Sequence, residues 1–244
     1  MALEIKNLLI TYSHKNQTTT AVDHVSFSIP EGEFFGLIGP NGAGKTSIIS
    51  AITSLVSHQA GEISVFGHHA GSVEAKRLVG YVPQGLVGYG FFNVNEILQF
   101  TSGYFGIKNN QKKIDELLER LQLTSYKYKL VSQLSGGLKR RMLIAKSLLH
   151  SPKILLLDEP SAGVDVELRT ILWNFATELN DSGMTILLTT HYLEEADRLC
   201  KRVAIMNKGK ILALDKTDRI KTQMGYSTLE EAFLKLIKQG ALSV

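Results

Sequence analysis

Hydrophobic positions follow two different spacings along the chain, and each spacing predicts a different kind of element. Val25, Phe27 and Ile29 alternate with polar residues, which is typical of a half-buried strand. Phe34–Ile38 and Ile154–Leu157 are continuous apolar runs of strand length, as expected for strands that are buried on both faces. Further strands are predicted over Gly61–Phe66, Leu78–Val82, Met184–Thr189 and Val203–Met206. Because the later strands each follow a helical stretch, the pattern predicts an α/β fold with a mostly parallel sheet.

The middle of the chain has helical spacing instead. Asn93 and Glu96 form an N-cap pair before an apolar helix. A second amphipathic helix is predicted by apolar residues at i, i+3, i+4 and i+7, which are Ile114, Leu117, Leu118 and Leu121. We therefore expect a helical lobe over about 88–148, inserted into a core that covers about 1–87 and 149–222, all within one domain of residues 1–244.

Both ends of the chain carry local predictions. The N-terminal segment is expected to form short strands, with a polar loop over His14–Thr20 between them. At the other end, Thr228 and Glu231 have the spacing of a capping box. They predict a helix over about 228–239 that packs on its own domain, and Gly240 is expected to end it.

Composition limits the class of protein. With 244 residues, 44% of them hydrophobic, the chain can bury a substantial core, and its net charge of +4 is too small to indicate nucleic-acid binding. The single cysteine, Cys200, permits no disulfide within the chain, which favours a reducing compartment. No apolar run has the length of a membrane span and the N-terminus does not read as a secretory signal, so any membrane role is expected to depend on a partner.

A glycine-rich loop supplies the clearest chemistry. It follows a predicted strand, precedes a predicted helix over Thr46–Leu55, and satisfies G-x-x-x-x-G-K-[ST]. Glycines let backbone N–H groups approach phosphate oxygens, Lys45 adds a charge for the β- and γ-phosphates, and the Thr46 hydroxyl can ligate Mg²⁺. The phosphate-binding residues are predicted to be Gly39, Pro40, Asn41, Gly42, Ala43, Gly44, Lys45, Thr46 and Ser47. The loop alone does not separate a kinase, a GTPase, a helicase and a motor.

Polar residues at the ends of other strands predict hydrolysis. Asp158 and Glu159 follow a fully apolar strand, at the sheet edge where such folds bind ligands. Asp158 suits a Mg²⁺ role, and Glu159 is the candidate base for the attacking water. His191 follows the next strand and is predicted to contact the γ-phosphate, whereas Gln84 ends an earlier strand and could contact Mg²⁺ or the water.

A second glycine-rich helix start follows Leu134. Ser135 can cap the helix, and its neighbours Gly136 and Gly137 leave backbone N–H groups open to an anion. The segment has no lysine and no metal ligand of its own. It therefore has the composition of half of a binding site.

Taken together, these motifs resemble those of the ATP-binding subunit of an ATP-binding cassette (ABC) transporter. The resemblance covers nearly the whole chain and rests on G-P-N-G-A-G-K-T, Y-V-P-Q, L-S-G-G, I-L-L-L-D-E-P, S-A-G-V-D and T-T-H in this order. It implies a P-loop NTPase (RecA-like) core with an N-terminal antiparallel β subdomain and an inserted α-helical subdomain. It also implies a head-to-tail homodimer, in which each ATP, with Mg²⁺, lies between the phosphate loop of one copy and the L-S-G-G segment of the other.

The same resemblance implies further roles and partners. Tyr12 would stack on the adenine, Asp165 would communicate across the dimer, and Gln84 would border the surface that receives integral membrane permease subunits. The chain would then work at the cytoplasmic face of the cell membrane. Leu138 stands where glutamine is frequent, which puts a polar contact across the dimer in doubt, and Ser161 stands where threonine is frequent, with little expected effect.

Export is favoured over import by H-Y-L-E-E-A-D-R-L-C from His191 and by the closing L-E-E-A-F-L-K-L, which resemble a subgroup of drug, polysaccharide and lipid exporters. Two other interpretations remain open. One is a soluble cassette ATPase that acts on DNA or the ribosome, although such proteins usually carry two cassettes, a long coiled coil or metal-binding insertions in one chain. The other is a regulatory role at the membrane without transport.

Overall fold

The computed structural model describes residues 1–15, 17–85 and 90–242, so residues 86–89, at the expected border of the helical lobe, lie outside the described residues. Strands and helices alternate through most of the chain. In chain order the elements are β1 (Leu3–His14), β2 (Gln17–Ile29), β3 (Phe34–Ile38), α1 (Lys45–Ile52), β4 (Ala60–Val65), β5 (His68–His69), α2 (Val73–Leu78), β6 (Val79–Val82), α3 (Val94–Tyr104), α4 (Gln111–Arg120), α5 (Gly136–Leu148), β7 (Ile154–Asp158), α6 (Val166–Asp181), β8 (Thr185–Thr190), α7 (Leu193–Leu199), β9 (Arg202–Asn207), β10 (Lys210–Lys216), α8 (Thr217–Met224) and α9 (Leu229–Leu242).

A six-stranded sheet in the order β10-β9-β3-β8-β7-β6 forms the centre of the fold. The pairs from β9 to β6 are parallel and only β10 runs antiparallel, against β9, which confirms the predicted mostly parallel sheet. Strands β3, β7 and β8 are buried at every position, as their continuous apolar runs indicate. Their carboxyl ends meet at one edge, so the segments after Ile38, Asp158 and Thr190 lie close together.

A second sheet has four strands in the order β2-β1-β4-β5, and all of its pairs are antiparallel. Together with the parallel sheet it confirms the predicted fold class. The expected polar loop over His14–Thr20 is wrong for most of its length, because Thr18–Thr20 pair with Thr11–Ser13 in the β1–β2 hairpin. This end of the hairpin is exposed on β2, so its side chains carry no alternation of apolar and polar residues that the sequence could reveal.

Helices α3, α4 and α5 occupy the segment between β6 and β7. The predicted capping box starts α3: Asn93 Oδ1 accepts a hydrogen bond from the Glu96 N–H at 2.9 Å, and Glu96 Oε2 accepts one from the Asn93 N–H at 2.8 Å. Ile114, Leu117 and Leu118 of α4 are buried in the core that these helices share with one face of the parallel sheet. The lobe therefore packs on the sheet through the apolar stripe that the sequence shows.

Two helix ends differ from expectation. Helix α1 ends at Ile52, three residues before the predicted Leu55, because Ser54 takes a left-handed backbone conformation, with φ of 57°, which ends the helical hydrogen-bond pattern. Helix α9 continues through Gly240 to Leu242. A glycine within a helix costs only about 1 kcal/mol relative to alanine, which packing elsewhere along a helix can offset.

Candidate nucleotide site

The glycine-rich loop leaves β3 at Ile38 and enters α1 at Lys45, so it lies at the carboxyl edge of the parallel sheet. Two of its glycines are required by space. A Cβ on Gly39 would lie 2.4 Å from the Met206 carbonyl oxygen, and one on Gly44, whose φ is 106°, would lie 2.3 Å from the Ala21 carbonyl oxygen. The N-terminus of α1 thus borders an open cavity of about 330 Å³, lined by Ala21, Asn41, Gly42, Ala43, Gly44, Lys45, Thr46, Ser47, Gln84 and Glu159.

Lys45 is folded back over the loop. Its Nζ donates hydrogen bonds to the carbonyl oxygens of Gly39, at 2.8 Å, and Pro40, at 3.1 Å, and lies 3.4 Å from Glu159 Oε1. Only 4% of the residue is exposed, and burial lowers the pKa of its ammonium group, although the Glu159 carboxylate opposes that shift. The loop carbonyls therefore accept the hydrogen bonds that Lys45 Nζ could otherwise donate to a phosphate.

Asp158 is a deeply buried carboxylate at this edge, with 1% of the residue exposed. Its Oδ1 accepts hydrogen bonds from the hydroxyls of Thr189, at 2.5 Å, and Thr46, at 3.3 Å. Its Oδ2 is buried and has no hydrogen-bond partner among the described residues. Burial raises the pKa of Asp158, the two hydroxyls lower it, and the neighbouring Glu159 carboxylate adds to the rise.

The environment of Asp158 Oδ2, which has no hydrogen-bond partner among the described residues, shows whether the site fits Mg²⁺. Small hard cations prefer oxygen ligands, and proteins usually hold Mg²⁺ through one or two carboxylates together with substrate phosphates. Asp158 Oδ2 and the Thr46 hydroxyl meet this description, and the Gln84 side-chain amide lines the same cavity. No group of three or more His, Cys, Asp or Glu side chains among the described residues has the arrangement of a metal site, so the protein's share of such a site would be this small oxygen set.

Glu159 lies at the centre of the contacts. Its Oε2 accepts a hydrogen bond from Gln84 Nε2 at 2.9 Å and lies 3.1 Å from His191 Nδ1, while Oε1 faces Lys45. Its backbone is left-handed, with φ of 47°, a conformation that is uncommon for a residue with a Cβ. The Glu159 N–H donates to the Thr189 carbonyl oxygen at 3.0 Å, which holds this turn in place. The structure thus brings together Gln84, Glu159 and His191, as the strand ends predict.

Tyr12 lies on β1 at the mouth of the cavity. Its hydroxyl donates a hydrogen bond to Ser47 Oγ at 3.2 Å, and 43% of the residue is exposed. A half-exposed aromatic ring fixed beside the loop has the placement that base stacking requires.

The L-S-G-G segment lies at a different cavity. Ser135 caps α5 by accepting a hydrogen bond from the Leu138 N–H at 3.3 Å, and Asp165 caps α6 by accepting one from the Leu168 N–H at 2.8 Å. Both helix starts face a cavity of about 370 Å³ lined by Ser135, Gly136, Gly137, Leu138, Arg141, Gly163, Val164, Asp165, Glu167 and Leu168. No lining residue is shared with the cavity at the glycine-rich loop. Asp165 and the L-S-G-G segment are therefore neighbours in one chain but are separate from the loop.

Two further residues near this edge escaped sequence reasoning. Arg140, which is 3% exposed, donates to the backbone carbonyls of Pro83 and Gln84. Glu195 is fully buried, and its Oε1 accepts hydrogen bonds from Ser161 Oγ at 2.5 Å and Trp173 Nε1 at 2.8 Å. The signal available in the sequence was a charged residue, Arg140 in α5 and Glu195 in α7, at a position where the helical spacing predicts an apolar one. Ser161 contacts Glu195 through its hydroxyl, and a threonine at this position would supply the same group.

Comparison with known proteins agrees with this geometry. The ABC transporter family model matches residues 22–162. The linearmycin resistance ATP-binding protein LnrL of Bacillus subtilis is 37% identical over 97% of this chain and 78% of its own length. The Nod factor export ATP-binding protein I of Burkholderia thailandensis is 40% identical over 79% of this chain, which spans 64% of that relative.

A solved structure described as the ATP-binding subunit of an ABC transporter superposes with a TM-score of 0.87 and 28% identity, over 97% of this chain and 100% of that one. Over the described residues, no helix combines the length and the hydrophobicity needed to cross a membrane. The family model, the relatives and the shared fold all lead to one assignment. This chain belongs to the ABC transporter family, as an ATP-binding subunit that hydrolyses ATP to drive transport.

Proposed function

We propose that two copies of this chain close head-to-tail around two ATP molecules and that their hydrolysis powers an exporter in the cell membrane. The observation that carries the proposal is the separation of two incomplete sites. One cavity is lined by the loop with Lys45 and Thr46, whose hydroxyl donates to the buried Asp158 carboxylate, and the other has two capped helix starts. Since helix N-termini bind anions, a second copy that faces the first would complete each site.

Each residue at the loop then has a role. Gly39–Ser47 would surround the phosphates with backbone N–H groups, and Tyr12 would stack on the adenine. Thr46, Asp158 and Gln84 would hold Mg²⁺, which supplies positive charge to the β- and γ-phosphate oxygens when bound. Lys45 would exchange its contacts with the loop carbonyls for phosphate oxygens, because a full negative charge is a stronger acceptor than a carbonyl.

The hydrolytic step falls to Glu159. When Lys45 turns toward phosphate, Glu159 Oε1 loses its cationic neighbour and becomes available as a base. Its carboxylate would take a proton from water as the water oxygen bonds to the γ-phosphorus and the bond to the β-phosphate oxygen breaks, which releases ADP and phosphate. His191 and Gln84 hold Oε2 on the other side of the carboxylate, and His191 would also contact the γ-phosphate.

Dimer closure follows from linkage. ATP can favour the closed pair only by binding it better than the open one, and phosphates contacted from both copies supply that difference. Ser135, Gly136 and Gly137 of one copy would contact the γ-phosphate bound to the other, and Asp165 lies beside them at the same cavity, where it would sense the opposing copy. A single copy would then bind ATP and hydrolyse it poorly.

A permease would dock beside β6. An apolar groove of about 740 Å³ lies between α1, α2 and the helical segment, next to the strand that leads to Gln84. Its rim carries large exposed aromatic side chains: Phe92 is 41% exposed, Phe100 61% and Tyr104 82%. Exposed aromatic residues around a groove are typical of a protein interface, and we assign this one to a cytoplasmic helix of an integral membrane permease. The chain would thus be peripheral on the cytoplasmic face of the membrane.

Export as the direction of transport is supported by two observations. The sequences after His191 and in α9 have the exporter-like form, and the relatives include proteins named for linearmycin resistance and Nod factor export. In this arrangement the permease would hold the cargo, and the chain described here would supply the free energy.

Substitution of Glu159 by Gln tests the function. The amide has the size of the carboxylate but cannot accept the proton, so ATP turnover should fall by about a hundredfold or more, while ATP binds and the closed dimer accumulates. ATPase assays and light scattering with and without Mg-ATP measure both effects. The control is Glu178→Gln, whose side chain is 65% exposed and pairs with Arg120 at the surface.

Lys45→Ala is expected to differ from Glu159→Gln, because it should weaken ATP binding itself rather than trap the bound state. Wild-type turnover in Glu159→Gln would contradict the base assignment. Unchanged ATP affinity in Lys45→Ala would contradict the phosphate site, and hydrolysis by a strictly monomeric wild type would contradict the dimer.

A further inference from the structure

Arg140 is a buried cation at a place where the proposed reaction does not use one. It lies on the second turn of α5, five residues beyond Ser135, and 3% of it is exposed. Its Nη1 and Nη2 donate hydrogen bonds to the backbone carbonyls of Pro83, at 2.5 Å, and Gln84, at 2.7 Å. None of the ion pairs among the described residues includes it, and its Nε is buried without a hydrogen-bond partner there.

These two hydrogen bonds are hard to release. Arginine keeps its proton at ordinary pH, so the guanidinium remains a buried charge. It is hydrogen-bonded to those two carbonyl oxygens and is attracted by the charge of the Asp158 carboxylate. If either carbonyl moved away, a charged donor would be left unsatisfied in the interior, which costs far more than a lost surface contact. The backbone at Pro83 and Gln84 is therefore fixed to α5, and the two should move together.

Gln84 extends this connection toward Glu159. Its backbone carbonyl is held by Arg140, and its side chain donates through Nε2 to Glu159 Oε2 at 2.9 Å. A line of contacts thus runs from the start of α5, through Arg140 and Gln84, to Glu159. The first end lies at the cavity of Ser135 and the last at the glycine-rich loop.

We infer that Arg140 is a positioning residue that transmits occupancy of one ATP site to the base of the other. The inference rests on the proposed head-to-tail dimer, in which α5 of each copy contacts the nucleotide bound by the opposite copy. When a γ-phosphate draws the N-terminus of α5 toward it, Arg140 moves the backbone of Gln84. The Gln84 amide then shifts relative to Glu159 within the same copy, so that each site is sensitive to the state of the other.

The expected signature is a loss of cooperativity rather than a loss of binding. In the full chain, Arg140→Met keeps an unbranched side chain but removes both donors. We expect the Hill coefficient for ATP hydrolysis to fall from near 2, the limit for two coupled sites, toward 1. We also expect kcat to fall by about tenfold to a hundredfold through misplacement of Glu159, with KM unchanged, because no contact of the glycine-rich loop is removed.

Two further variants separate this role from a purely structural one. Arg140→Lys retains the charge but lacks the planar fork that bonds two carbonyls at once, so it should recover part of the cooperativity. It also keeps the test decisive if Arg140→Met does not fold. The double variant Arg140→Met/Gln84→Ala should have the kcat of Gln84→Ala alone, because an effect that passes through Gln84 cannot be lost twice.

Arg120→Met is the matched control, since it also removes a guanidinium from the helical segment. Arg120 pairs with Glu178 at 3.5 Å and lies over the Phe175 ring, 5.0 Å from its centroid, and neither partner belongs to the line of contacts from α5 to Glu159. This control should keep wild-type cooperativity and kcat. A wild-type Hill coefficient and kcat in Arg140→Met would overturn the inference, as would additive losses in the double variant. Absence of an ATP-dependent dimer in the wild-type chain would instead overturn the proposed function.

Discussion

Replacement of Gly137 by Ala should destabilise the protein, although alanine is the better helix former. A Cβ built on Gly137 lies 2.3 Å from Leu168 Cδ2, whereas carbon atoms pack at about 3.5 Å or more. Leu168 is 5% exposed, and it can retreat only by giving up its core contacts for the cavity that it lines together with Gly137. Overpacking of this kind costs about 1–3 kcal/mol, and the helical gain of alanine offsets about 0.5–1 kcal/mol. We expect a net loss of about 1–2 kcal/mol.

Urea unfolding measures the effect, and a second background reverses its sign. In Leu168→Ala the obstructing methyl group is absent, so Gly137→Ala should stabilise that variant by about 0.5–1 kcal/mol through helix propensity alone. Gly103 provides the control in the wild-type background. It also lies within a helix, and a Cβ there meets no atom within 4 Å, so Gly103→Ala should stabilise by a similar amount.

Equal destabilisation by Gly137→Ala in both backgrounds would refute the packing argument. The contact also has a functional consequence, because Leu168 is the residue whose N–H is capped by Asp165. A displaced Leu168 should shift the start of α6, and ATPase activity should fall by more than the loss of stability explains. Restored activity in the double variant would trace that loss to the same pair.

Two other substitutions test the buried carboxyl groups. Asp158→Asn should abolish turnover, by about a hundredfold or more, yet stabilise the nucleotide-free protein, because burial raises the pKa of Asp158 above the ordinary 3.8 and so makes its charged form unfavourable in the folded state. The folded wild type then binds the proton more tightly than the unfolded chain, so its stability falls as the pH rises from about 3.8. The gain in stability of Asp158→Asn over the wild type, measured by urea unfolding, should therefore grow as the pH rises. A gain that does not change with pH would contradict this explanation. Trp173→Phe should cost about 1–3 kcal/mol, because Glu195 Oε1 loses the indole donor at 2.8 Å, and the cost should shrink in Glu195→Ala if that hydrogen bond is the cause.

The sequence alone predicts those features of the fold and of the site that depend on residues close together along the chain. Continuous apolar runs predict the central strands, and the polar residues that follow these runs predict that Asp158, Glu159 and His191 are neighbours. The cap of α5 at Ser135 follows from backbone groups within four residues of it. Such features depend on the immediate neighbours along the chain, which is why the spacing of residue types reveals them.

Contacts between distant segments could not be predicted in the same way. Arg140 is 56 residues from Gln84 along the chain, and nothing in the spacing of α5 indicates which carbonyl oxygens it will meet. The left-handed Glu159 is likewise hydrogen-bonded through its N–H to Thr189 on the neighbouring strand, a partner that is distant along the chain. The length of the β1–β2 hairpin could not be predicted either, because paired strands whose side chains are exposed to solvent show no alternation of apolar and polar residues.

Both helices that start at the cavity of Ser135 are joined to residues that contact Glu159. Helix α5 reaches Glu159 through Arg140 and Gln84. Helix α6 carries Trp173, which donates to Glu195 on α7, and α7 begins two residues after His191. Each contact joins groups that are buried or partly buried, so neither helix can move without disturbing hydrogen bonds that the interior cannot replace with water. A copy that receives the opposing γ-phosphate at α5 and α6 would therefore reposition both residues that hold its own Glu159 carboxylate, and hydrolysis in the two sites would be coupled through each chain as well as across the dimer.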